Sequence, residues 1–293
     1  MKKSARKMLT GLSIPLLLLV LLLTSAPRTL SQPAPKTTAA PTAQSGVDVR
    51  ARVTETAVDA STPDDPAVDK MLAVYSPKVR ELDVVIGKLK GELRKGGMGS
   101  GSLGNFITDG LRAQASLKIG KPVVLAIMNG GGIRRNTIGE GELKARDIFE
   151  LLPFENALIT VDVTGEQLMK LLQMILSGQA QSGARITYRA TQDNKSELVS
   201  AQLRDGTGEK DIDPNATYTI TTIDYIYRVG GNQFSTLLHE GKNMKELGIT
   251  LRDAVINYVK SETAAGRDIK PNLDGRFVLD KAGSPAPEEV RPQ

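Results

Sequence analysis

The chain has no cysteine and a single histidine, His239. Without cysteine it has no disulfide, no thiolate metal site, no cysteine nucleophile and no lipid-modified N-terminal cysteine. Hydrolytic metal centres usually recruit several imidazoles, so one histidine argues against such a centre built by this chain alone. A Ser–His–Asp triad would need His239, and nothing around it reads as a nucleophile elbow. His239, between Leu238 and Glu240, is expected at the surface. Acidic residues are missing from the first 31 positions, where Lys2, Lys3, Arg6, Lys7 and Arg28 supply the whole net charge of +5. The remainder carries 33 basic and 33 acidic side chains. A balanced body removes the main support for polyanion binding, so no nucleic-acid partner is expected.

What is present suffices for a folded core: 293 residues, 40% apolar and 24% charged. That composition excludes wholesale disorder. Basic residues at 2–7, an apolar run at 12–23 and a polar small-residue stretch follow the order of a secretory signal peptide. Residues 1–31 are therefore read as a signal, with cleavage after Ser31; an uncleaved membrane anchor is the alternative. Either way the folded part is expected outside the cytoplasm, periplasmic or extracellular. Residues 32–61, opening on Gln32-Pro33-Ala34-Pro35, read as a flexible linker. Residues 62–280 read as one α+β domain, and the Pro- and Glu-rich tail at 281–293 as disordered.

Within the domain, Asp64-Asp65-Pro66 starts a helix that the spacing of Met71, Leu72, Val74, Tyr75, Val79 and Leu82 carries forward. Val84–Ile86 is a short strand. Leu103–Ala115 is an amphipathic helix, and the continuous apolar run Val123–Met128 a buried strand. Asp147–Leu152 is a short helix stopped by Pro153. Ala157–Val163 alternates as a strand does. Thr164 and Gln167 form a capping box for a helix bearing Leu168, Leu171, Leu172 and Ile175. Further strands are expected at Arg185–Arg189, Leu198–Leu203, Tyr218–Thr222 and Arg276–Leu279, and a helix at Leu251–Val259. The basic cluster Lys88–Lys95 reads as a solvated face.

The strongest chemical signal follows the buried strand: Asn129-Gly130-Gly131-Gly132-Ile133-Arg134. Consecutive glycines let a ligand approach the backbone, allow dihedral angles other residues avoid, and can turn N–H groups toward an anion. Arg134 offers a bidentate donor for phosphate or a diol, and Asn129 both a donor and an acceptor. Read from the residues alone, the run is equally a tight structural turn. Phe154, after the helix-stopping proline, reads alone as a core side chain.

This run, followed by Leu152-Pro153-Phe154 and by Thr164-Gly165-Glu166-Gln167-Leu168, resembles the C-terminal domain of the 5′-nucleotidase family. Ser102-Leu103-Gly104-Asn105-Phe106-Ile107-Thr108-Asp109 is similar to that family's leading helix. Tyr218–Thr222 and Gly230-Gly231-Asn232 are similar to its late strand and its Gly-Gly-Asp turn. The resemblance spans residues 62–279. It implies a domain that binds substrate while a separate N-terminal metallophosphatase domain performs the chemistry. It assigns Asn129, the Gly130–Gly132 turn and Arg134 to phosphate or ribose, Phe154 to a base-stacking clamp, Asn156 to the base and Asn232 to the ribose. It implies a nucleotide or nucleoside ligand, no cofactor in this chain, and a separate metallophosphatase subunit as partner.

The sequence also departs from the family. The metallophosphatase half has no counterpart in it. Gly96-Gly97-Met98-Gly99-Ser100-Gly101 stands where the family carries an arginine and a glutamate. Ile226, flanked by Tyr225 and Tyr227, stands at the second clamp aromatic, and Asn232 replaces an aspartate. Three functions follow: a nucleotidase substrate-binding domain acting with a second chain, a non-catalytic ligand-binding module, or an extracytoplasmic interaction protein that kept the fold.

Overall fold

The computed structural model describes residues 52–193, 195–229 and 233–281. The expected signal peptide, most of the linker, Asn232 and the tail beyond Lys281 lie outside the described residues. Two units are distinguished, Met1–Pro63 and Asp64–Gln293. In the first, the described residues carry a turn in which Thr62 N donates to Asp59 O at 3.0 Å. All that follows concerns the second.

Its N-terminal helix starts as the sequence predicts. The Asp65 carboxylate accepts from Ala67 N at 2.7 Å and Val68 N at 3.4 Å, which satisfies orphan donors of the first turn. The helix does not run on, and this corrects the expectation of one continuous helix. It divides into α1 (Pro66–Leu72) and α2 (Ser76–Arg80). Pro77 lacks the N–H that would bond the carbonyl of Ala73, and its ring crowds that carbonyl. The apolar residues of both helices stay outside the core, with Met71 61% and Val79 48% exposed.

Next come β1 (Val85–Leu89), β2 (Leu93–Arg94), α3 (Gly101–Ile119), β3 (Leu125–Asn129), β4 (Thr137–Ile138), β5 (Gly141–Lys144) and α4 (Ala145–Leu151). β1 pairs with β5 and β2 with β4, both antiparallel. α4 is followed by β6 (Ala157–Thr164), α5 (Gly165–Ile175), β7 (Gln179–Ser182), β8 (Ala184–Ala190), β9 (Ser196–Asp205), β10 (Gly208–Asp211) and β11 (Thr217–Ile223). The last elements are α6 (Asp224–Arg228), α7 (Gln233–His239), β12 (Lys242–Thr250), α8 (Leu251–Ala264) and β13 (Phe277–Leu279).

The main sheet runs β12-β6-β11-β3-β7, with β11 parallel to β3 and its other pairs antiparallel. A second sheet runs β10-β9-β8-β13. The expected run Val123–Met128 supplies β3, whose Leu125, Ala126, Ile127 and Met128 have no exposed surface. α3 packs on α8 and across β7 and β3, joining its Leu103, Ile107 and Leu111 to that core. The Thr164–Gln167 capping box forms reciprocally, and α5 buries Leu168, Leu171, Leu172 and Ile175. The result is the mixed α+β arrangement expected. Among the described residues, no helix is long and apolar enough to cross a membrane.

Candidate functional site

β3 delivers Asn129 to the sheet end, where Gly130–Gly132 makes a single 3-10 turn. Ile133 N closes it on Gly130 O at 3.3 Å. Gly130 and Gly132 are needed for closeness rather than for unusual dihedral angles, which corrects one expectation: none of the three glycines lies in the left-handed region. A Cβ on Gly130 would stand 2.6 Å from Gly178 O, and one on Gly132 would stand 2.5 Å from Met128 Cε. At Gly131 the nearest atom would be Asn129 Nδ2 at 3.8 Å, so that position has room. Left-handed backbone occurs instead at Gly97, Gly99, Ser100 and Gly101, in the uncharged loop before α3.

Lys95 does not belong to a solvated face, unlike Lys88 and Lys90, which are exposed. Its Nζ donates to Gly130 O at 2.9 Å and to Ile133 O at 2.8 Å, tying the end of β2 to the glycine turn. Arg134 N donates to Leu151 O at 2.9 Å, docking the turn on the end of α4. That contact brings Arg134 and Phe154 together, with the guanidinium carbon 5.9 Å from the ring centroid. Arg134 Nη1 also donates to Gly131 O at 3.2 Å. Phe154 is 44% exposed, so it is not a core side chain.

The loop carrying Phe154 is held from below by Arg252 at the start of α8, a residue 6% exposed. Arg252 pairs with Glu155, donates to Leu152 O at 3.5 Å, and stacks 4.0 Å over the Phe149 ring. Asn156 is half-buried, and its carbonyl accepts from Leu251 N at 2.9 Å. Ala157 N donates to Asp224 at 3.0 Å, which links this loop to the first residue of α6.

A cleft of about 950 Å³ opens beside the turn. It falls in the size range of small-molecule sites. Asn129 lines it with Gln173, Gln179 and Gln233; Tyr225, Ile226, Phe234, Met98 and Met174 provide apolar surface. Ile226, at the expected clamp position, is buried, while neighbouring Tyr225 is 49% exposed and offers the aromatic face. Tyr227 turns away and meets His239 edge-on at 4.3 Å, with His239 exposed as expected. Among the described residues, Lys195 is the one charged side chain in the lining. Asn129 and Gln179 face each other across β3 and β7, and Asn129 Oδ1 and Gln179 Oε1 are buried without a hydrogen-bond partner among the described residues. Such orphaned polar atoms are costly and rare in folded proteins.

The sequence-predicted residues therefore divide. Asn129 lines the cleft; Arg134, Phe154 and Asn156 do not, although Arg134 and Phe154 adjoin the same glycine turn. Gln173, Gln179, Phe234, Lys195 and Arg252 had no local signal in the sequence. Chemically, the cleft offers amide donors and acceptors, a flat aromatic wall and little charge, a set suited to a planar polar ligand.

Residues 84–239 match the family described as 5′-nucleotidase, C-terminal domain, and the chain belongs to it. It is 30% identical over 185 residues to the trifunctional nucleotide phosphoesterase YfkN of Bacillus subtilis, covering 60% of this chain and 12% of that protein. It is 32% identical over 188 residues to the cell wall protein Lmo0130 of Listeria monocytogenes, covering 60% and 23%. Among solved structures, the 5′-nucleotidase precursor of Thermus thermophilus superposes with a TM-score of 0.61 at 26% identity, over 73% of this chain and 43% of that one. The chain thus spans less than half the length of each of these relatives.

Proposed function

We propose that this chain is an exported protein of nucleotide catabolism that binds a nucleotide or nucleoside in the cleft at Asn129 and relies on a separate metallophosphatase chain for hydrolysis. The observation that carries the reading is the family's Asn-Gly-Gly-Gly turn standing at the edge of a cleft of about 950 Å³ with Tyr225 and Phe234 in its wall. Aromatic faces stack any base, and carboxamides bond base edges and sugar hydroxyls. Arg134 and Phe154 adjoin that turn and serve as the phosphate or ribose donor and a second stacking face, with Asn156 and Asn232 as further polar contacts. The single imidazole of this sequence, His239, supports the need for a partner. Export rests on the basic start and apolar run of the N-terminus, together with the cell wall protein among the relatives.

A second reading, a non-catalytic module for an uncharged ligand, is favoured by one observation: among the described residues, Lys195 is the only charged one lining the cleft. Titration calorimetry of the full chain with adenosine and with adenosine monophosphate tests both. Binding of either supports the cleft. Loss of about 1–3 kcal/mol in Tyr225→Ala identifies its ring as a stacking face. Adenosine binding as tightly as its monophosphate favours the second reading. Binding of neither at millimolar concentration overturns the proposal.

A further inference from the structure

A smaller cavity of about 230 Å³ lies among α3, the β7–β8 turn, β9 and the segment before β13. Asp109 and Arg112 of α3, Gly183, Arg204, Asp274 and Arg276 line it. None of these residues lines the cleft at Asn129. Three guanidinium groups thus share the cavity with two carboxylates.

Both carboxylates are already engaged. Arg276, 6% exposed, donates Nε and Nη2 to the Asp274 carboxylate at 2.9 and 3.0 Å, and Nη2 to Asp109 at 3.1 Å. Its Nη1 donates to Gln181 O at 2.9 Å. Arg204 Nη1 lies 3.4 Å from the same Asp274 carboxylate and donates to Asp274 O at 3.1 Å, while its Nε lies 3.6 Å from Glu209. Arg112 is left over. A guanidinium carries five N–H donors. Among the described residues the hydrogen bond from this one is Nη1 to Arg204 O at 3.1 Å. Burial pushes the Arg112 pKa below the ordinary arginine value; Asp109 and Asp274 oppose the shift, and Arg276 and Arg204 add to it.

The neighbouring glycine keeps this space clear. Gly183 has φ +115°, and a Cβ there would stand 2.0 Å from Val124 O and 2.9 Å from Arg112 Nη1. A partly buried cation with free planar donors beside a polar cavity is matched by an anion with several acceptor oxygens. The cavity lies below the usual size of nucleotide-scale pockets, which selects a free ion over a larger phosphorylated ligand.

We propose that this cavity binds a small tetrahedral oxyanion of the inorganic phosphate or sulfate class, with Arg112 as its principal donor. The test is thermal unfolding of the full chain at fixed pH and ionic strength in sodium phosphate, sulfate or chloride. At ten times the dissociation constant, bound anion favours the folded state about elevenfold, a rise of roughly 3–6 °C over chloride. Arg112→Gln is expected to melt no lower than wild type in chloride, because an uncompensated charge has gone, and to lose the phosphate response. Arg112→Lys, which keeps the charge but not the planar fork, is expected to keep only part of that response. Equal melting of wild type in phosphate, sulfate and chloride overturns the proposal. So does a full phosphate response that persists in both variants.

Discussion

Replacing Arg252 with alanine should unfold the chain more readily and loosen the loop that presents Phe154. Arg252 is 6% exposed and combines a stack on Phe149 at 4.0 Å, a pair with Glu155 and a bond to Leu152 O at 3.5 Å. A desolvated cation–π contact contributes about 0.5–2 kcal/mol. The Glu155 pair is discounted, because the Glu155 side chain is 76% exposed and solvent screens it. The buried stem adds packing of its own. Together these give a loss of about 2–4 kcal/mol for Arg252→Ala. In a domain of this size that corresponds to a fall in Tm of roughly 4–16 °C. Glu155→Ala should cost no more than about 1 kcal/mol, since the buried partner keeps its ring and its carbonyl. Urea denaturation of the two variants and of the double variant measures the difference. Equal losses for Glu155→Ala and Arg252→Ala, or a loss under about 0.5 kcal/mol for Arg252→Ala, would refute the view that burial and the ring hold this loop.

Three other outcomes follow from the same geometry. Gly130→Ala should destabilise by about 1–3 kcal/mol, because its Cβ meets the rigid Gly178 carbonyl at 2.6 Å, whereas Gly131→Ala should unfold within about 0.5 kcal/mol of wild type; equal melting of the two would contradict the packing described. Burial alone would raise the Asp274 pKa, but its bonds and proximity to Arg276 and Arg204 outweigh that and hold it below the usual carboxylate range. The unfolded chain therefore takes up this proton first, so stability is full above about pH 4 and is lost as pH falls through the depressed folded value; Asp274→Asn should flatten that acid limb, and an unchanged limb would show that the pair does not couple to folding. Homogeneous full chain should release no phosphate from adenosine monophosphate with any divalent metal, given its one histidine; metal-dependent release that follows the protein through purification would reverse this.

Elements governed by local chemistry were legible in the sequence. The Thr164–Gln167 box and the run at Val123–Met128 each combine a short-range signal with a strong apolar pattern. α8 carries the same device, Thr250 with Asp253, but an aspartate at that position does not stand out in sequence. β10 and β12 were illegible because they are edge strands: Gly208–Asp211 is wholly exposed and Lys242–Thr250 mostly so, leaving no apolar alternation to read. β7 is the reverse case. Gln181 and Ser182 look like loop residues yet are buried, because the Gln181 amide bonds the N–H and the carbonyl of Ala184 across the turn. The site divides along the same line. Asn129–Arg134 is one contiguous motif, so sequence reveals it. Gln179 and Arg252 reach the site only through strand pairing and helix packing, which spacing along the chain does not encode.

The central claim is that the cleft at Asn129 seats a nucleoside. A crystal of the full chain soaked with adenosine tests it most directly. The account predicts density for the base against the Tyr225 ring, with Asn129 or Gln179 within hydrogen-bond reach of the ligand. Well-ordered crystals with that cleft empty, or with adenosine bound only away from Asn129 and Tyr225, would contradict it.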